Sequence, residues 1–280
     1  MPELPEVETV RRTLEQRVIG KRIAAVEVRW PKMVKKPQDA SLFSQLMAGQ
    51  QIHSVRRRGK YLLFILDDWT LLSHLRMEGK YGVYQKGDPV EAHTHIIFSF
   101  DDGTELRYRD VRKFGTLHLL RRGEEEAGPP LSELGPEPFS PEFNGVYLLQ
   151  KLKNTSRSIK AALLDQRIVA GLGNIYVDEA LFRAGIHPAR PACSLSREEA
   201  EILQREIVAT LAEAVEMGGS TVRSYVNAGG TIGLFQLELN VYAREGEPCK
   251  RCGTPIEKIR VAGRGTHFCP NCQKKKGVGK

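Results

Sequence analysis

No apolar run in this sequence approaches the roughly 18 residues that a membrane-spanning helix requires, which excludes a helical membrane protein. A secretory leader is also missing. Met1-Pro2-Glu3-Leu4-Pro5-Glu6 is acidic where a leader carries positive charge followed by an apolar core. A cytosolic location follows by default, and stable disulfides are not expected there. Cysteine is scarce, with five in 280 residues, so a disulfide scaffold is excluded and four of the five need another explanation. Internal repeats are absent, which argues against solenoid and propeller architectures.

The composition that remains, 41% hydrophobic and 27% charged, is ordinary for a soluble globular protein. Its charge is less ordinary. The net charge is +8, yet residues 123–142 hold six Glu and no Lys or Arg, so the rest of the chain is more basic than the total suggests. From Cys249 to the end there are nine Lys or Arg against one acid, Glu257. An uneven, basic charge map suits a polyanionic partner, although many soluble proteins are mildly basic without one.

The first helix shows in Val7, Val10, Leu14 and Val18, which recur at helical spacing ahead of a stop at Gly20. Short strand-like runs follow at 23–30, 61–66, 70–75, 95–100, 105–109 and 115–120, and Asp102-Gly103 marks a hairpin between the fourth and fifth. Many short strands at close spacing favour a sandwich or barrel over a parallel sheet. Residues 123–145, rich in Glu, Pro and Gly, have linker composition and mark a domain boundary. The second half is helical. Ser196 and Glu199 form a capping box, Ala200, Leu203, Ile207 and Leu211 a buried stripe, and Gly218 the end of that helix. The Gly-rich stretch 218–235 is too long for a simple turn, and loops of that length are commonly functional or disordered.

Cys249-x2-Cys252-x16-Cys269-x2-Cys272 is the strongest spacing signal. Two Cys-x-x-Cys knuckles can place four thiolates tetrahedrally around one zinc ion. A module of about 30 residues cannot build a sufficient apolar core, so metal binding provides most of its folding energy. With all four ligand positions filled, the zinc is structural rather than catalytic. Cys193 is left as a free thiol. Between the knuckles, Val261-Ala262-Gly263-Arg264-Gly265-Thr266 is either a solvated hairpin tip or an Arg offered to a phosphate. Upstream, Gly171-Leu172-Gly173-Asn174 precedes an amphipathic segment, with Asn174 placed as the N-cap. On spacing alone that pattern fits an ordinary capped helix better than a phosphate-binding helix N-terminus, though glycines ahead of the helix suit the latter as well.

Taken together and in order, Pro2-Glu3-Leu4-Pro5-Glu6-Val7-Glu8, the run Gly171-Leu172-Gly173-Asn174-Ile175-Tyr176 and the four-cysteine ribbon strongly resemble bacterial formamidopyrimidine-DNA glycosylases, also called 8-oxoguanine DNA glycosylases. The resemblance runs from Pro2 to about Gln273. It implies a multidomain α+β fold: an N-terminal helix plus β-sandwich, then a helix–two-turn–helix domain with a zinc-ribbon finger, and damaged double-stranded DNA in the cleft between. The corresponding boundaries are 1–135 for the catalytic sandwich domain, 136–237 for the helical domain with a lesion-capping loop, 238–274 for the finger and 275–280 for a basic tail. It implies a monomer with one structural zinc.

The same resemblance assigns roles. Pro2 is the nucleophile and Glu3 the acid; Lys60 is the proton donor for elimination, and Arg264 contributes to that later step. Asn174, Lys60, Tyr242 and Arg264 grip phosphates, while His74 and His93 line the DNA-binding surface. Met77, Arg112 and Phe114 enter the duplex as the damaged nucleotide is flipped out, where apolar wedges offset unstacking and Arg can bond the orphaned base. Ser220, Thr221, Val222, Arg223, Ser224 and Tyr225 read the oxidised base. Plainer readings stand beside these: Met77 and Phe114 as core residues at strand ends, Lys60 in a solvated basic turn, His74 as a satisfied core histidine.

The chemistry is sensible on elementary grounds. An α-amine, with an ordinary pKa of roughly 7.7–8.0, has a neutral fraction at pH 7 that lysine, near 10.4, lacks. An amine nucleophile also forms an iminium that acidifies the adjacent sugar C2′ hydrogen, so strand cleavage can follow base release. Because Met1 acylates the Pro2 nitrogen, activity requires its removal. Two other functions compete. The sister class that removes oxidised pyrimidines usually carries Gly where this chain has Leu4. A purely DNA-binding protein has no use for Pro2 and Glu3.

Overall fold

The computed structural model describes residues 1–220 and 233–275. The chain divides into two compact units, Met1–Ser132 with Gly218–Gly233, and Glu133–Met217 with Leu234–Lys280. The first division falls inside the acidic, Pro- and Gly-rich stretch.

The first unit is a β-sandwich closed by a helix. Helix α1 (Leu4–Val18) ends before Gly20, whose φ of 81° only glycine adopts readily. Its Val7, Val10, Leu14 and Val18 are each at most 1% exposed and enter the core. One sheet takes the order β1-β7-β8-β6, from Ile23–Val28, Thr94–Phe100, Thr104–Arg109 and Lys80–Gln85. The other runs β2-β9-β5-β4-β3, from Val34–Lys36, Thr116–Arg121, Trp69–His74, Tyr61–Ile65 and Ser54–Arg58. All pairs are antiparallel except β2 with β9. Phe64, Leu71, Leu117 and Leu119 of one sheet share a core with Ile96, Phe98, Leu106 and Tyr108 of the other. Helix α2 (Ala40–Met47), capped by Asp39, adds Phe43 and Met47.

The six strand-like runs coincide with β1, β4, β5, β7, β8 and β9. The expectation missed β2, β3 and β6, for physical reasons. Strand β3 reads Ser-Val-Arg-Arg-Arg, and its charges are compensated from outside the strand: Arg57 meets Glu8 at 3.2 Å and Arg58 meets Glu126 at 3.1 Å. Strand β6 contains Gly82, where a Cβ would lie 2.7 Å from the Tyr84 ring.

The second unit is helical, with α3 (Gly145–Lys153), α4 (Ile159–Leu164), α5 (Asn174–Arg183) and α6 (Arg197–Glu216). The capping box of α6 is present: Glu199 N donates to Ser196 Oγ at 3.1 Å and Ser196 N to Glu199 Oε2 at 2.9 Å. A hairpin of β10 (Glu257–Val261) and β11 (Arg264–Phe268) completes the unit. One correction concerns α5. Its N-cap is Gly173, and Asn174 is the first helical residue, with its side-chain amide turned to donate to Gly265 O at 3.1 Å. With its backbone already helical, Asn174 lies one position past the N-cap, and the N-cap itself, a glycine, has no side chain to cap this helix.

Leu14 is fully buried in the sandwich core. Leu14→Ala is expected to lower the unfolding free energy by about 2–5 kcal/mol, the transfer loss plus a residual cavity, as read from urea denaturation.

Candidate active site

Pro2, Glu3 and Glu6 cluster at the N-terminal end of α1. Pro2 is buried, Glu3 is 3% exposed and Glu6 5%. Here Met1 is joined to Pro2, so the Pro2 nitrogen is an amide. Glu6 turns its carboxylate back across the helix start: Oε2 accepts Glu3 N at 2.8 Å, and Oε1 accepts Ser220 N at 2.8 Å. Gly219, at φ 79°, passes so close that a Cβ there would lie 2.7 Å from Glu6 Oε1. One carboxylate thus ties the N-terminus to the first described residues of the Gly-rich stretch. Its other described end, Gly233, passes so close to Gly218 that a Cβ would lie 2.6 Å from the Gly218 carbonyl. Of the expected base-reading residues, Ser220 lies here, and Thr221, Val222, Arg223, Ser224 and Tyr225 lie outside the described residues.

Lys60 is the second loop residue of the β3–β4 hairpin and is 5% exposed, so the solvated-turn reading of this lysine fails. Gly59, at φ 56°, makes that two-residue turn possible. Arg57 fastens the hairpin from below, donating to Gly59 O at 3.0 Å and to Glu8 Oε2 at 3.2 Å. Since Glu8 belongs to α1, the helix carrying Glu3 and the hairpin carrying Lys60 are one mechanical piece.

His74, at the end of β5, is 6% exposed and packs edge-on to Tyr61 at 4.6 Å. Burial, followed by the positive charges of Arg76 and Lys60 and by His118, pushes its pKa down to about 3. Its Nδ1 accepts Arg76 N at 2.9 Å. The neutral ring therefore carries its hydrogen on Nε2, a donor suited to an anionic oxygen.

Two turns present the remaining side chains of this unit. The turn after β5 closes through Gly79 N donating to Leu75 O at 3.0 Å, and Met77 is half-buried on it. The loop after β8 is built on Asp110, which is 1% exposed and which pattern reading missed. Its carboxylate accepts Arg112 N at 3.0 Å, Phe114 N at 2.9 Å and Gly115 N at 2.8 Å. Held this way, Phe114 is 51% exposed with the Arg112 guanidinium 4.7 Å from its ring centre, so it is not the core residue its apolar character allows. His93 is exposed at φ 65°, and its carbonyl accepts Asp110 N at 3.0 Å.

In the second unit a pair of adjacent buried carboxylates on α5 organises the rest. Asp178 accepts Lys160 Nζ at 2.7 Å and His267 N at 2.9 Å. Lys160, fully buried, also donates to Gly265 O at 3.1 Å, the carbonyl that Asn174 reaches. Two donors thus fix the peptide just beyond Arg264, whose side chain is exposed. Glu179, likewise fully buried, accepts Val241 N and Tyr242 N at 2.9 Å and both nitrogens of Asn240. Tyr242 then packs edge-on to His267 at 5.1 Å. Asn174, Tyr242 and Arg264 are brought together by groups absent from the expected set. A signal for one of them exists: Lys160 is the one charge in the otherwise apolar helix α4.

The sulfurs of Cys249, Cys252, Cys269 and Cys272 all lie within 4.8 Å of one another, with separations of 4.0, 3.5 and 3.6 Å for 249–272, 252–269 and 252–272. Zinc–sulfur bonds of about 2.3 Å in a tetrahedron put sulfurs about 3.8 Å apart, so the donor set fits zinc. Arg251 N to Cys249 Sγ and Cys272 N to Cys269 Sγ, both 3.4 Å, are the backbone donors expected to orient thiolates.

Three family profiles match the chain: the formamidopyrimidine-DNA glycosylase N-terminal domain over residues 1–117, the H2TH domain of the same glycosylases over 134–226, and a zinc finger found in FPG and IleRS over 246–275. The formamidopyrimidine-DNA glycosylase of Bacillus licheniformis is 64% identical over 275 residues, covering 98% of this chain and 100% of that protein. Its Bacillus subtilis counterpart is 59% identical over 276 residues, covering 99% and 100%. A solved complex of Lactococcus lactis Fpg with DNA containing an abasic site has a TM-score of 0.91 and 45% identity, over 98% of this chain and 100% of that one. The ribbon therefore holds one structural zinc ion.

Replacing either member of the buried pair, Lys160→Met or Asp178→Asn, is expected to cost about 3–5 kcal/mol because a charge is left buried without its counterpart. In denaturant unfolding of zinc-loaded protein, the double variant is expected to lose less than the sum; strict additivity would show the charges to be uncoupled. His74 generates a pH prediction. With a folded pKa of about 3 against an ordinary 6.5, the unfolded chain binds the proton first. Its contribution to stability is whole above pH 6.5 and falls as pH drops towards 3. His74→Asn is expected to flatten that part of the stability–pH curve.

Proposed function

Because the chain belongs to the formamidopyrimidine-DNA glycosylase family, whose members are DNA glycosylases acting on damaged DNA, we propose that it excises oxidised purines from duplex DNA and then cleaves the strand as an AP lyase. The substrates are 8-oxoguanine and formamidopyrimidines. The observation that carries this reading is the pairing of Pro2 with a nearly inaccessible Glu3, held at the helix start by the Glu6 carboxylate.

Once Met1 is removed, the Pro2 nitrogen attacks the sugar C1′, and the C1′–base bond breaks, the base departing with a proton equivalent to the one the Pro2 amine loses. Glu3 gives its proton to the ring oxygen, opening the sugar and leaving an iminium between Pro2 and C1′. A carboxyl in that role must keep its proton near neutrality, which burial favours. The iminium draws electrons from C2′, so loss of a C2′ proton expels the 3′ phosphate. A second, δ-elimination expels the 5′ phosphate. Lys60 supplies a proton in the first elimination, and Arg264 assists it. Asn174, Lys60, Tyr242 and Arg264 bind phosphates around the lesion, neutral His74 donates through Nε2, and His93 also lines the DNA-binding surface. Met77, Arg112 and Phe114 fill the gap left by the flipped nucleotide. Residues 220–225 read the base. The enzyme acts as a monomer in the cytosol; among the described residues no helix is long and apolar enough to cross a membrane.

Borohydride trapping tests the mechanism. Wild type is expected to become covalently joined to lesion-containing DNA, Pro2→Gly to trap poorly, and Glu3→Gln to fail in excision. Intact mass of the active enzyme is expected to lack Met1. Tight binding without trapping, or full activity with Met1 retained, would sink the proposal.

A further inference from the structure

Gly79 and Gly115 close the two turns that carry Met77 and the pair Arg112 and Phe114, and both face the same phenol. A Cβ on Gly115 would overlap Tyr108 Oη and lie 2.7 Å from Cζ and 3.1 Å from Cε1, so its three nearest heavy atoms all belong to Tyr108. A Cβ on Gly79 would overlap the same Oη, with Cζ at 2.9 Å and the Leu75 carbonyl at 2.6 Å. Neither glycine has a left-handed φ. Backbone geometry therefore accepts a side chain at both positions, and the nearest obstacle to one is Tyr108 (joined by the Leu75 carbonyl at Gly79).

Tyr108 is a rigid neighbour. It sits in β8 at 1% exposure, its ring 5.0 Å from that of Tyr81. Tyr81 is itself pinned, its hydroxyl donating to Ser73 Oγ at 2.8 Å and its ring meeting Phe64 at 5.5 Å. The phenol thus stands on the sandwich core with its hydroxyl end wedged between the two turns. Inside the second turn, Asp110 fixes the backbone from Arg112 to Gly115. Inside the first, the Leu75–Gly79 bond does the same. What neither sets is the spacing of one turn from the other.

We propose that Tyr108 is a positioning residue that sets this spacing, so that Met77, Arg112 and Phe114 enter the duplex as one preassembled wedge. The inference rests on the proposed inserting role of those three side chains. A base-stack gap admits side chains only at a defined separation, and a misplacement of order 1 Å in a positioned group can cost about 100-fold in rate.

The test uses full-length zinc-loaded enzyme and two substrates, lesion-bearing duplex and a single-stranded oligonucleotide with an abasic site. The second needs the Pro2 chemistry but no wedge. Gly115→Ala is expected to lower duplex excision by about 10- to 100-fold while single-strand cleavage stays within about twofold. Tyr108→Phe in that background is expected to restore part of the loss, since it removes the overlapping oxygen and leaves Cζ. Tyr108→Leu, which adds no atoms beside either glycine, is expected to show the same selective loss and serves should Gly115→Ala fail to fold. 2-Aminopurine opposite the lesion reports gap filling independently of turnover, and its signal is expected to fall in both. Phe114→Ala separates the two levels. If it lowers the duplex-to-single-strand ratio while Gly115→Ala and Tyr108→Leu leave that ratio at the wild-type value, the spacing role of Tyr108 is overturned and the wedge stands. If Phe114→Ala leaves the ratio unchanged, the wedge reading falls and the inference with it. Equal losses on both substrates, without rescue by Tyr108→Phe, would show a purely structural effect and overturn the proposal.

Discussion

Two adjacent carboxylates with no exposure to solvent, Asp178 and Glu179, are the constraint on which the second unit depends. Consecutive helical residues point about 100° apart, so one short stretch of α5 addresses two different segments. Asp178 faces the hairpin bearing Arg264 and Glu179 the turn bearing Tyr242. Burying a carboxylate is costly unless charge and hydrogen bonds offset it. Asp178 has a lysine and a backbone N–H, and Glu179 four N–H donors. The zinc ribbon has only a small apolar cluster, in which Phe182 of the same helix packs with Val241, Cys249, Ile256 and Cys269. Metal makes the ribbon a fold; α5 makes it part of this unit.

The first unit uses the same device at other places. Glu6 accepts the backbone of Glu3 and Ser220, Glu8 joins α1 to the hairpin of Lys60, and Asp110 shapes the loop of Phe114. A carboxylate accepting backbone N–H groups suits irregular segments, because such segments have donors that no helix or sheet satisfies. Hydrogen bonds to charged groups are worth about 1.5–3 kcal/mol each. That is enough to hold a loop in one geometry without covering its side chains. Exposed Phe114 and Arg264 are therefore presented rather than packed.

The polar groups of the site differ in how strongly they are held. His74 is neutral because it is buried among positive charges, and its hydrogen-bonded Nδ1 decides which nitrogen remains a donor. That leaves a neutral N–H donor close to the cations Arg76 and Lys60. Lys60 stands beside it with little access to solvent, where its charge has less screening than at the surface.

Much of this was legible in one dimension. Helical spacing located α1, the Ser196–Glu199 box started α6, two Cys-x-x-Cys knuckles defined a metal site, and the N-terminal run with the Gly-Leu-Gly-Asn motif pointed to the family. These are local: each depends on residues a few positions apart, or on chemistry a side chain carries anywhere. Strand β3 was hidden because the charges that neutralise its arginines come from Glu8 and Glu126. The Asn174 side chain went to a carbonyl 91 residues away instead of its own helix end. The roles of Lys160, Asp178, Glu179 and Asp110, and the phenol between Gly79 and Gly115, are decided by tertiary structure alone. A buried charge or a forbidden Cβ is defined by its neighbours in space, and in the sequence those neighbours are far apart.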